Sequence, residues 1–278
     1  MRALPLVLLL APALASAQWD PPLWQQPPHP PPIGKAPPPA PVWSGNVNAG
    51  LIELSGNANS LTMTGAAGLQ RDSERWILAA RATGAYGRSQ PADRTQPTQT
   101  VALAASLILR ADRRLGPHLT AFGRGGIDMD HVASLEYRAH GDLGMGYVWL
   151  DRKEEGGREL FLRTDLGGGY AYDARFQYYA TATAPVGSLP HVEFVGARGG
   201  VSFRYAMSKA VSLTEDAEAL VNVVGAQRWL ARSTTKLSSH VTSSLGVGLS
   251  YTLTHDSVPA PGKVRTDTAL GVTLELAF

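Results

Sequence analysis

Charged side chains at alternate positions are the chemistry that this sequence offers. Glu136, Arg138, His140 and Asp142 stand at every second residue, and so do Arg163 and Asp165. Arg81, Arg124, Asp128, Arg198, Arg204, Asp216, Glu218, Lys236 and Glu275 fall on the polar parity of their own segments. A strand sends such positions to one face, and a sheet that closes on itself would gather them inside. Both signs occur in similar numbers. Two readings of such an interior fit: a salt-bridged filling of a narrow lumen, or a small pore whose charge rings select ions or solutes. The candidate lumen charges are Arg81, Arg124, Glu136, Arg138, His140, Asp142, Arg163, Asp165, Arg198 and Arg204. Glycines on the same parity, among them Gly144, Gly146, Gly167 and Gly169, would leave room for water or relieve crowding in coiled strands.

Other chemistries find little to stand on. The chain has no cysteine, so disulfides and thiol catalysis are excluded. His140 sits among acids and arginines, where a satisfied network suits it better than the role of a general base. The twelve-stranded barrel phospholipases carry a Ser–His–Asn group on the outer face, and no mid-strand histidine stands beside a serine on the apolar parity here. No catalytic residue is assigned and the chain is read as a non-enzyme. An outer-membrane lipid-modifying enzyme and an interaction scaffold remain the alternatives. Asp128, Asp130 and Asp173 lack calcium-loop spacing, and Gly167, Gly168 and Gly169 lie inside a strand rather than before a helix. No metal site and no cofactor are assigned. A net charge of +2 gives no electrostatic basis for binding nucleic acid.

The elements that must position these charges are strands. From Val42 onward apolar residues recur with period two and turn residues punctuate them. Twelve strands are predicted, over 42–54, 59–71, 75–88, 97–111, 117–129, 134–151, 158–173, 191–206, 210–223, 228–240, 244–256 and 265–278. Leu61, Met63, Gly65, Ala67 and Leu69 share one face, as do Val101, Leu103, Ala105, Leu107 and Leu109. Glu215 is the one clear charge on an apolar face within the strand interiors. Lipid contact explains that exclusion, because a charge facing lipid costs up to a few kcal/mol near the bilayer midplane. The fold class expected is all-β, a transmembrane antiparallel up-and-down β-barrel of about 12 strands.

A soluble barrel would alternate equally well, with its apolar face inside. Two features favour the inside-out arrangement. Trp43, Trp76, Trp149, Tyr205 and Phe278 lie on the apolar parity at one set of strand ends, and Tyr86, Tyr137, Tyr172 and Trp229 at the other. Two aromatic girdles are what a membrane demands. The connections 89–96, 174–190 and 257–264 are long, and those of the opposite set are short, as in barrels with short periplasmic turns.

Upstream, Met1 and Arg2 precede an apolar run over 4–15, and Ala15-Ser16-Ala17 provides a cleavage site. The run is too short to span a bilayer as a helix. Residues 1–17 are therefore read as a signal peptide, 18–41 as a proline-rich disordered periplasmic leader, and 42–278 as the barrel. In polyproline II the leader would reach on the order of 60 Å, far enough for contact with the cell wall or a periplasmic protein.

The last strand, from Thr268 to Phe278, resembles the closing strand of outer-membrane barrels, whose terminal aromatic residue is read by the barrel-assembly machinery. The segments Trp43-Ser-Gly-Asn-Val-Asn-Ala-Gly50, Phe122-Gly-Arg-Gly-Gly-Ile-Asp128, Gly144-Met-Gly-Tyr147 and His255-Asp-Ser-Val-Pro259 stand in an order and spacing that resemble the YdiY-like family of salt-induced outer-membrane proteins, a family of unknown function. The resemblance runs over about 42–278. It implies a Gram-negative outer-membrane location, lipid as surroundings and an association with salt or envelope stress. It brings no catalytic or ligand-binding residues.

Overall fold

The structure is a computed structural model that describes residues 42–54, 59–90, 97–154, 158–180, 185–242 and 244–277. The signal peptide, the proline-rich leader and Phe278 lie outside the described residues. Twelve strands follow one another: β1 (Val42–Leu54), β2 (Asn59–Asp72), β3 (Trp76–Gln90), β4 (Gln99–Arg114), β5 (Leu119–Asp130), β6 (Leu135–Lys153), β7 (Glu159–Gln177), β8 (Gly187–Ala206), β9 (Val211–Asn222), β10 (Trp229–His240), β11 (Leu245–Asp256) and β12 (Thr266–Ala277). Each pairs antiparallel with its neighbours in sequence, and β1 pairs with β12 to close the barrel. No helix occurs among the described residues.

Following paired residues once around the sheet from Asn48 returns to β1 about 16 residues further along, a stagger that tilts the strands by about 40°. Both ends of the barrel chain emerge at one rim, beside the connections 73–75, 115–118, 154–158, 207–210 and 241–244. This rim is called the turn end and the opposite rim the loop end. Among the described residues the closing seam is short: Asn46, Val47, Asn48 and Ala49 pair with Ala277, Leu276, Glu275 and Leu274.

Burial follows the alternation. In β3, Ile77, Ala79, Arg81, Thr83 and Ala85 are buried, while Trp76, Leu78, Ala82 and Tyr86 are exposed. The exposed parity is the apolar one all around the barrel, with Leu143 72 % and Leu166 70 % exposed. Apolar residues outside and charges inside make this a transmembrane barrel and overturn the soluble alternative. The exposed aromatic side chains form the two expected girdles, Trp43, Trp76, Trp149 and Tyr205 at the turn end and Tyr86, Tyr137 and Trp229 at the loop end. At the turn end Arg114 also latches two adjacent turns. It donates to both oxygens of Asp72 at 2.8 and 3.0 Å and to the carbonyl of Ser73.

Strand ends run past expectation by two or three residues in β3, β4 and β6, and most between β7 and β8. The long connection expected over 174–190 is partly sheet, because β7 runs on to Gln177 and β8 begins at Gly187. A register shift opposite Asp173 and Arg175 adds one residue to β8, so its inward positions pass from Val192 to Leu189 and Gly187, whereas Asp173 and Gln177 of β7 stay buried on one parity.

Candidate functional site in the barrel lumen

Three layers of ion pairs fill the described interior. The layer nearest the turn end is a square of four charges from β4 and β7. Arg110 donates to both oxygens of Asp112, from Nε at 2.6 Å and Nη2 at 2.7 Å, and from Nη1 to Asp165 at 2.9 Å. Arg163 donates from Nη2 to Asp112 at 2.7 Å and from Nε to Asp165 at 2.8 Å, and Thr120 accepts a further bond at 3.0 Å. These four side chains are nearly sealed from solvent, at 0 to 7 % exposure. Since β4 and β7 are not neighbours in the sheet, the square crosses the lumen rather than running along its wall. The Arg110 guanidinium stacks 4.1 Å from the centre of the Phe122 ring, which covers one face of the square.

The middle layer joins β5, β6, β8 and β9. Arg124 binds Asp142 of its neighbour β6 at 2.7 Å and reaches across to Glu218 of β9 at 3.0 Å. Arg198 donates to the same Glu218 oxygen at 2.8 Å. His140 stands between two acids, its Nε2 3.4 Å from Asp128 and its Nδ1 3.6 Å from Asp142. At the loop end Arg138 grips Asp173 through two bonds of 2.6 Å, and Arg228 links Asp173 at 3.1 Å to Asp256 at 2.9 and 2.5 Å. A separate pair, Lys236 with Glu275 at 2.8 Å, ties β10 to β12.

The lumen glycines make this packing possible. A Cβ at Gly146 would enter the Arg163 guanidinium and the Asp165 carboxylate, and one at Gly169 would meet Asp142 and the Gly141 carbonyl. The space beside these two glycines holds charged side chains instead of water. Chemically the arrangement pairs its charges among themselves, with Arg163 Nη1 and Asp128 Oδ1 buried without a hydrogen-bond partner. Asp173 is committed to three arginines, Arg138, Arg228 and, at 3.9 Å, Arg175, and Asp130 accepts from the Ala133 amide at 3.0 Å, so neither converges with Asp128 on a cation. Among the described residues no three or more His, Asp or Glu side chains are placed so that they could hold a metal ion.

A family model for proteins of unknown function, DUF481, matches residues 47–278. The chain belongs to the DUF481 family. No curated protein matches it. Solved structures similar to this DUF481 chain include the COG4313 outer membrane channel from Pseudomonas putida F1, at 12 % identity and a TM-score of 0.45 over 89 % of this chain and 99 % of that one. The NanC porin is similar at 10 % identity and a TM-score of 0.42, covering 84 % and 98 %. The translocator domain of the autotransporter NalP from Neisseria meningitidis gives 11 % and 0.40, covering 85 % and 86 %.

Most of the predicted lumen charges lie inside the DUF481 barrel. Arg124, Arg138, His140, Asp142, Arg163, Asp165 and Arg198 join the layers just described. Arg81 is buried inside on β3 and lies in the field of Asp216, which accepts a hydrogen bond from Ser202. Arg204 is half-buried on the inner parity of β8, outside these layers. Glu136 is the exception. It is exposed at the loop-end start of β6, where a register shift between Leu135 and Tyr137 takes it out of phase with Arg138. Reasoning from sequence missed Arg110, Asp112, Arg228 and Asp256, four members of the network. The parity of Leu107 and Leu109 would have put Arg110 inside. Buried Phe122, Phe161 and Phe194 were also missed as lumen residues; aromatics on a polar face break the pattern that identified that face.

Proposed function

We propose that this protein is an outer-membrane barrel that is closed at rest and serves as a structural element of the envelope. The observation that carries this reading is that charges from non-adjacent strands meet across the lumen, Arg110 with Asp165 and Arg124 with Glu218. An open aqueous channel keeps its charges on opposite walls, with water between them, and is typical of barrels with more strands than twelve. Export by the signal peptide, assembly through the strand that ends at Phe278, and contact with the cell wall or a periplasmic partner through the proline-rich leader belong to the same proposal. So does the association with salt or envelope stress that the YdiY-like resemblance implies.

A second reading, a narrow ion path, draws on one observation: the Glu218 side chain in the middle layer keeps 27 % of its exposure. The lipid-modifying alternative lacks comparable support, since the outward hydroxyls of Ser233 and Thr235 are both committed to Glu215. Single-channel recording in a planar bilayer separates the first two. The closed reading expects a silent wild-type barrel, and steps of conductance once Arg110→Ala with Asp165→Ala and Arg124→Ala with Glu218→Ala remove both crosspieces. Regular ion-selective steps from the folded wild type would establish the narrow path instead.

A further inference from the structure

Below the turn-end rim the lipid-facing wall is hollowed. A groove of about 530 Å³ runs over β1 to β5, and its shallow part is made by Ala80, Ala111, Gly123 and Gly125. Trp43, Leu69, Leu78 and Leu109 flank these small residues from outward positions. Pairing sets them side by side: Leu78 with Ala111, Ala111 with Gly123, and Leu109 with Ala80 and Gly125. The volume falls within the range of about 300–1,000 Å³ for sites that hold a small molecule. The groove opens on hydrocarbon, so an apolar occupant suits it.

Two arginines stand at its turn-end margin. Arg71 pairs with Trp43 on one side and Leu78 on the other, and Arg113 pairs with Trp76. Arg71 is in phase with outward Leu69, and Arg113 is exposed in phase with Leu109 and Ala111. The Arg113 guanidinium lies 5.9 Å from the centre of the Trp76 ring. Neighbouring Asp72 is held by Arg114, and the turn 73–75 carries one charge of each sign, Glu74 and Arg75. Trp43 and Trp76 belong to the turn-end girdle, which places both arginines at the level of lipid headgroups. We propose that the groove and its two arginines bind a glycerophospholipid with an anionic headgroup. One acyl chain lies in the groove, and the phosphate accepts hydrogen bonds from Arg71 and Arg113. Guanidinium groups suit phosphate because their N–H donors bind its oxygens in pairs, and basic residues at a membrane surface favour anionic lipid. A second copy of this chain suits the face poorly. Around a two-fold axis normal to the membrane, arginines would meet arginines at the same depth. The site rests on the barrel spanning a membrane and not on whether its lumen is closed.

Native mass spectrometry counts the lipids that stay on the barrel. The full chain is reconstituted in vesicles of phosphatidylglycerol and phosphatidylethanolamine in equal parts, then released into detergent. The site predicts a single tightly held phosphatidylglycerol, kept in preference to phosphatidylethanolamine. Arg71→Gln with Arg113→Gln should lower that preference at least about tenfold. Ala111→Leu fills the groove, leaves both arginines in place and should release the lipid. Arg152→Gln with Lys209→Gln removes two charges from the same rim outside the groove and should change nothing. The heat-dependent gel shift checks that each variant is folded. The proposal is overturned if the wild type keeps no lipid, keeps both lipids equally or emerges as a lipid-free dimer. It is overturned equally by a preference that survives the loss of Arg71 and Arg113, by an equal fall in the Arg152 and Lys209 control, or by full retention after Ala111→Leu.

Discussion

Asp112→Asn probes the ion-pair square where it is driest. The substitution keeps the shape of the side chain and removes one negative charge. Asp112 is 1 % exposed, and the arginines it binds, Arg110 and Arg163, are 0 % and 2 % exposed. Without its charge, two buried guanidinium groups share Asp165 alone. Removing one partner of a buried pair costs about 3–5 kcal/mol. Asparagine keeps one acceptor oxygen and Asp165 still neutralises one cation, so the lower end, about 3 kcal/mol, applies here. With a urea slope of about 3 kcal/mol per molar, the unfolding midpoint should fall by about 1 M. Reversible urea unfolding of the barrel in lipid vesicles, followed by tryptophan fluorescence, measures this shift. The paired change Asp112→Leu with Arg163→Met removes one charge of each sign and should recover at least half of the loss. A midpoint within about 0.3 M of wild type for Asp112→Asn, or a double variant as unstable as the two single losses added together, would refute the claim that the four charges act as a unit.

Three further outcomes are expected. Gly169→Ala places a methyl against Asp142 and the Gly141 carbonyl, and should lower stability by about 1–3 kcal/mol, read as an earlier heat-dependent gel shift. Arg228→Ala frees Asp256 while Arg138 still holds Asp173; proteolysis within 223–228 and 257–265 should quicken severalfold, with global unfolding changed less than by Asp112→Asn. Lys236→Met leaves Glu275 without its cation and should cost about 2–3 kcal/mol in the same urea assay, with Glu275→Leu in the same chain restoring most of it.

Much of the barrel was legible because lipid outside and charge inside impose the same period-two rule on every strand. Where that rule held, as in β2, β4 and β11, strand and facing were read together. It failed where the backbone changes phase. The register shift at Leu135 and Tyr137 misled the placement of Glu136, and the extra residue in β8 between Leu189 and Val192 hid the last pairs that β8 makes with β7. The lumen charges were legible as a set but not as pairs. Parity says that Arg124 and Glu218 share the interior, yet their meeting depends on the stagger of the whole barrel, which brings β5 opposite β9. Arg110 was overlooked although its parity was plain, and Asp112 because it falls where the turn after its strand was expected to begin. Only the closed structure reveals that these two form the densest part of the network.

The crosspieces are unevenly distributed. They brace the arc from β4 to β9 and, at the loop end alone, reach β11 through Arg228 and Asp256, whereas among the described residues the seam between β1 and β12 rests on a short ladder, with Lys236 and Glu275 as the nearby tie. A hoop stiffened along one arc and lightly stitched on the other does not yield uniformly to lateral pressure. When the bilayer thins or its tension rises, the cross-section should flatten on the stitched side first and leave the braced arc round. The elastic anisotropy of this barrel is thus set by which strands its interior arginines span.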